Sequence, residues 1–178
     1  MTDEELKLCD RKSGAFHEAG HAVVGLVLGI SEVTLIQSPF EPLNATDRFF
    51  SGQVHWIDNL KGNGERGVFG LAGWIAERIA ENPETDFLHL LDDVDYYVTY
   101  EMSDTDRKMI DGLAGSDLEQ AVEMSFEILK KHWTAVQGLA YRLVHNEVGR
   151  INAERSDLKG PWEGLLTWDS KGPFSNLE

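Results

Sequence analysis

Five residues, His17-Glu18-Ala19-Gly20-His21, constrain this chain more than any other part of it. They lie in the run SGAFHEAGHAVVGLVLG, which reads as a helix capped by Ser13 and stopped by Gly29. Two helical histidines four residues apart are offset by only about 40°, with Cβ atoms roughly 5–6 Å apart. That spacing lets two imidazoles grip one zinc ion, with Glu18 on their flank, placed to take a proton from a water on the metal. The run is strongly apolar, so the histidines are expected to be buried, and a buried pair needs partners that a metal supplies. Ala19 and Gly20 leave room for another element to approach closely. Glycine inside a helix costs about 1 kcal/mol relative to alanine, so packing or function must account for it. The bland alternative is an HExxH that arose by chance.

Composition narrows the class. The 178 residues suit one domain with one core, and 42% hydrophobic with 10% aromatic residues marks a globular chain. A net charge of −15 argues against nucleic acid as a partner, because phosphate binding needs a basic face. Cys9 is the one cysteine, which excludes an internal disulfide framework and a thiolate metal cluster. The opening MTDEELKLCDRKSG lacks the apolar core of a secretory signal. The longest apolar stretch, Ala22 to Ile30, falls far short of the ~20 residues needed to span a bilayer. The expectation is a cytoplasmic protein with no membrane contact.

The pattern along the chain predicts a mainly α, α+β domain with a small sheet or hairpin beside the HExxH helix. Residues 1–12 read as a surface segment, 13–150 as the domain, and 151–178 as a tail that packs on the domain or binds a partner. Strands are expected at 32–37 and 53–57, separated by a loop from about Ser38 to Phe50. Residues 59–67 read as a loop, followed by a helix from about Val68 to Ala80. Val68, Leu71, Ala72, Ile75 and Ile79 form its apolar stripe, with Gly70, Gly73 and Glu77 on a smooth opposite face. A further helix is expected from Thr85 to Met102. Ser116-Asp117-Leu118-Glu119 reads as a capping box that opens one long helix to about Asn146.

Catalytic zinc takes three protein ligands and leaves one position open. His17 and His21 supply two. The densest run of carboxylates is Leu91-Asp92-Asp93-Val94-Asp95. With the apolar face of that helix buried, Asp92 lies nearly opposite it, whereas Asp93 and Asp95 flank the buried side about 100° either side of Val94. Spacing leaves Asp93 and Asp95 open, with Asp92 as a lesser alternative. Glu77 is a further candidate, as a ligand or as an acceptor for a histidine N–H. His55 sits in the second strand, beside the expected cleft, as a substrate contact or an ordinary strand histidine. His89 and His132 read as surface residues, His145 as a helix-terminal residue favoured by the dipole. The five tryptophans read as core and interface.

The run Ala15-Phe-His-Glu-Ala-Gly-His-Ala-Val-Val24 resembles the zinc motif of the FtsH-type metallopeptidases, the protease domain of the membrane AAA proteases. SEVTLI (31–36) is similar to the family's strand after the zinc helix, SGQVHWI (51–57) to its substrate-side strand, and LAGWIAERI (71–79) to its LAGRAAEEL. Asp92-Asp93-Val94-Asp95 falls where the family carries its Asn-Asp-Ile-Glu stretch, which implies Asp93 as the third zinc ligand. The resemblance covers roughly residues 13–150. It implies a zincin-like helical peptidase domain binding Zn²⁺ through His17, His21 and Asp93, with Glu18 as the catalytic base. Departures are visible. No GxxxxGK[ST] phosphate loop and no membrane anchor are found, Trp74 stands where the family has Arg, and Arg78 replaces the second Glu of AEE.

The function expected from this sequence is that of a zinc metallopeptidase acting without its own motor on flexible or unfolded polypeptides. Substrate would lie extended along the strand at 52–57, contacting Gln53, Val54 and His55. A separate ATPase or a homo-oligomer would be its partner. The rival expectations are a zinc-binding interaction protein that has lost turnover, and a zinc hydrolase acting on another amide.

Overall fold

The computed structural model describes residues 2–39, 49–57 and 59–159. Most of the expected 38–50 loop and residues 160–178 of the expected tail lie outside that set.

The HExxH helix, α1, runs from Asp3 to Leu28, and its cap lies eleven residues upstream of Ser13. Thr2 is its N-cap. The Thr2 hydroxyl accepts from the Glu5 amide, and Glu5 accepts from the Thr2 amide, a reciprocal capping box. Asp3, Glu4 and Glu5 add negative charge where the helix dipole favours it. Residues 3–12, expected as a surface segment, are therefore the first turns of this helix. Gly29 ends it as expected, at φ 107°, a left-handed conformation that costs glycine nothing.

Strands β1 (Glu32–Pro39) and β2 (Phe50–Trp56) pair antiparallel, from Val33 opposite Trp56 to Pro39 opposite Phe50. A third strand, β3 (Arg150–Glu154), pairs antiparallel with the other edge of β1, giving the order β2-β1-β3. It crosses the boundary expected near residue 150. Arg142 Nη1 meets Asp157 Oδ1 at 3.1 Å and so ties the 3₁₀ turn Arg155–Lys159 to the body. Period-two alternation turns Val33, Leu35, Ile151 and Ala153 to the core. No apolar run of helical length marks β3 in the sequence, only this short alternation.

Helix α2 (Gly62–Glu81) begins inside the expected 59–67 loop. Helix α3 (Phe87–Tyr96) passes into a π-helical turn, Tyr97–Glu101, and a six-residue helix, α4 (Asp104–Met109), follows. The expected long helix is two, α5 (Ser116–Lys131) and α6 (Trp133–His145), with His132 between them at φ −112°, ψ 24°. The break lets Trp133 stack on Phe16 of α1, ring centroids 5.7 Å apart. The N-cap of α5 is Gly115 rather than Ser116.

The result is a mainly helical domain with one small antiparallel sheet. Helix α1 is central, packed on α2, α6 and the β1–β2 hairpin, while α2 also touches α4 and α5. The smooth face of α2 has a visible use. A Cβ at Gly20 of α1 would lie 2.5 Å from the Ala72 carbonyl oxygen, and one at Gly73 of α2 would lie 2.5 Å from Nε2 of both motif histidines. Glycine at these two crossing points lets the helices approach until α2 backs the imidazoles. Among the described residues no helix is long and apolar enough to cross a membrane.

Candidate metal centre

His17 and His21 occupy successive turns of the buried half of α1. Their Nε2 atoms converge to 3.1 Å. His21 Nδ1 lies 2.8 Å from the Phe69 carbonyl oxygen, which can only accept, so Nδ1 carries the hydrogen and Nε2 presents its lone pair. His17 Nδ1 faces Glu77 Oε2 at 3.4 Å, and the other Glu77 oxygen accepts from the Ser13 hydroxyl at 2.7 Å. Ser13 is thus no helix cap. It steadies the carboxylate that orients His17.

The third group is Asp106, on the first turn of α4. Its Oδ2 lies 3.4 Å from His17 Nε2 and its Oδ1 3.4 Å from His21 Nε2. Ser103 fixes that turn: its hydroxyl accepts from the Asp106 amide and donates to Asp106 Oδ2 at 2.9 Å. One ligand atom from each of His17, His21 and Asp106 can be chosen so that all lie within 4.8 Å of one another, and these three residues form a cluster, among the described residues, that could hold a metal ion. A four-coordinate ion with bonds of ~2.0–2.2 Å spaces adjacent ligand atoms roughly 3.3–3.6 Å apart. The His17–His21 spacing of 3.1 Å and the 3.4 Å approaches of the two Asp106 oxygens, one to each histidine, lie near those values.

This corrects the expectation for Asp93. Its side chain is 59% exposed and faces the Arg78 guanidinium at 3.9 Å, away from the histidines. Asp92 and Asp95 are exposed as well. The register that implied Asp93 assumed α3 carried the ligand. Instead the π turn carries the chain past the end of α3, and the following short helix delivers the carboxylate. Glu77, the remaining candidate, is at the centre but addresses Nδ1 of His17, the nitrogen that points away from the cluster.

Sequence reasoning missed Asp106. A signal existed in Ser103-Asp104-Thr105-Asp106, a Ser-x-x-Asp cap pattern just before Met109 and Ile110. It marks a helix start, but nothing local says that the turn faces the histidines.

The electrostatics follow from these contacts. Burial works against charge on His17, yet Glu77 and Asp106 outweigh it and hold its pKa well above the ordinary 6.5. Burial likewise opposes ionisation of Asp106, but the two facing imidazoles overcome it and hold the carboxyl far below the usual range. Convergent imidazoles and carboxylates of this kind call for positive charge between them, from a proton or a metal ion. Burial raises the pKa of Glu18, which is 6% exposed, despite the neighbouring histidines.

Glu18 lies under β2. A Cβ at Gly52 would overlap its carboxylate, so glycine lets the strand cross there without displacing Glu18. The centre opens into a cleft of about 600 Å³. One wall is β2, including Gln53, Val54 and His55, the residues expected to contact substrate; aromatic lining comes from Trp56, Phe69, Trp74 and Tyr97. His55 Nε2 lies 3.1 Å from Gln53 Oε1 on the exposed side of the strand. His89 is exposed beside Asp86, and His145 contacts the Tyr141 carbonyl. Comparison with protein-family models and with curated proteins finds no match.

Proposed function

We propose that this chain is a zinc-dependent metallopeptidase with a zincin-like site, similar to an FtsH-type protease domain. The observation that carries the reading is the convergence of His17 Nε2, His21 Nε2 and Asp106, with Glu18 pressed against a strand that walls the same cleft. The donor set of two imidazoles and one carboxylate fits catalytic zinc, which takes three such ligands and keeps a position open. Zinc bound there would polarise a substrate carbonyl and lower the pKa of water from 15.7 toward about 7.

The chain's own residues do the rest. Glu18 accepts the proton of the attacking water and passes it to the leaving amide nitrogen as the C–N bond breaks. Burial raises its pKa, the direction that favours a carboxylate able to accept a proton and give it back. The Phe69 carbonyl accepts from His21 Nδ1 and the Glu77 carboxylate faces His17 Nδ1 at 3.4 Å, which leaves both Nε2 atoms toward the metal position. Among the described residues β2 pairs with β1 alone. Its second edge is suited to pairing with an extended peptide backbone, with Gln53, Val54 and His55 beside it. An open strand edge takes up an extended backbone, so flexible or unfolded segments are the substrates proposed.

The test is peptide cleavage by zinc-loaded protein and by Glu18→Gln. The variant should retain stoichiometric zinc and lose turnover by at least about a hundredfold, the usual contribution of a general base. Zinc binding without cleavage in the unmodified chain would favour a zinc-bearing interaction protein. Cleavage of non-peptide amides alone would favour the other rival.

A further inference from the structure

The first turns of α1 reach the site through a contact that neither metal ligation nor catalysis uses. Asp10 Oδ2 accepts the backbone amides of both Phe49, at 2.6 Å, and Phe50, at 2.8 Å. Phe50 is the first residue of β2 and lines the cleft. The next residue on the helix, Arg11, places its guanidinium 5.6 Å from the Phe50 ring centroid. The Arg11 carbonyl also accepts from the Gln37 side chain of β1 at 2.7 Å. In the sheet register Gln37 stands opposite Gly52, the residue that lies over Glu18. One stretch of α1 thus grips both strands of the hairpin at the end where β2 enters the cleft, and the same helix carries Glu18.

We infer that Asp10 is a positioning residue for the substrate-side strand. By holding the Phe49 and Phe50 amides it sets where β2 begins relative to α1, and so the register in which a peptide backbone meets Glu18. The inference rests on the peptidase reading for its catalytic consequence, but not for the clamp itself. A carboxylate accepting two amides is a charge-assisted contact, stronger than a neutral hydrogen bond. Phe49 precedes the paired part of β2, and among the described residues Asp10 is the acceptor its amide meets.

The experiment combines amide exchange on the full chain, zinc content and peptide kinetics for the unmodified protein, Asp10→Ala and Asp10→Asn. In the unmodified protein the Phe49 amide should exchange as slowly as the interior of β2. Asp10→Ala should speed exchange at Phe49, Phe50 and Ser51 by about tenfold or more, with one zinc still bound. It should raise KM by a similar factor while kcat stays within about twofold, because the lost contact aligns substrate and does not touch the reacting atoms. Asp10→Asn keeps an acceptor and should return both readouts to within about threefold of the unmodified chain. Unprotected Phe49 in the unmodified protein would overturn the proposal even if the alanine variant failed to fold. So would unchanged exchange in Asp10→Ala, or an effect confined to kcat. If the unmodified chain cleaves no peptide, the function proposed above fails, while the exchange measurements still decide the clamp.

Discussion

The two halves of the candidate metal centre are built in opposite ways. The imidazole pair belongs to one long buried helix, where covalent spacing alone stacks His17 under His21 and puts Glu18 beside them. The carboxylate belongs to a six-residue helix 85 positions further along, reached through a π turn, capped by Ser103 and packed on α2. The first half depends on local geometry, the second on how α2, the π turn and α4 pack. The candidate centre therefore joins one long helix to a short one that packs on α2.

That contrast can be broken by exchanging the carboxylates. Asp106→Ala should weaken zinc binding by more than about a hundredfold, beyond the range for an outer-shell partner. Asp93→Ala, which removes only an exposed contact to Arg78, should leave it within about twofold. Competition titration against a chelator of known affinity reads both. Equal losses would mean that α3 contributes after all.

Next in size is Glu77→Gln. It weakens the acceptor facing His17 Nδ1 while keeping the shape, and should cost roughly 10–100-fold in zinc affinity. Ser103→Ala removes the cap that seats Asp106, with an expected loss of about 1 kcal/mol in stability by chemical denaturation. Its effect on zinc affinity should be smaller than that of Glu77→Gln. If it were larger, the short helix would be the weaker half to an extent its contacts do not explain.

The smallest effect is that of pH on the metal-free protein. The folded-state pKa of His17 lies above the ordinary 6.5, so its contribution to stability is full below about that pH and fades as pH rises through the raised value. Zinc acts in the other direction, since its ligands must lose their protons. The increment in Tm on adding zinc should therefore grow from pH 6 to pH 8, as measured by calorimetry with and without metal. An increment that shrank over that range would place the imidazoles away from the metal.

The same division explains what could be read from the chain before its fold was known. The helix through His17 and His21, its glycine stop, both hairpin strands and the smooth face of α2 follow from local periodicity and small residues. The start of α1 was misread because Ser13 resembles a cap. Its hydroxyl is spent on Glu77, and the true cap is the Thr2–Glu5 box. The break at His132 depends on Trp133 finding Phe16, a contact with no trace in local spacing. Asp106 was invisible for the same reason, and Asp93 attracted attention because acidic runs are conspicuous whether or not they face anything.

The most direct test of the account is anomalous scattering at the zinc edge from crystals of protein purified with stoichiometric zinc. The account predicts a single strong peak bonded by Nε2 of His17, Nε2 of His21 and a carboxylate oxygen of Asp106, beside Glu18. A protein that takes up no stoichiometric zinc, or a peak whose third ligand is Asp93, would contradict it.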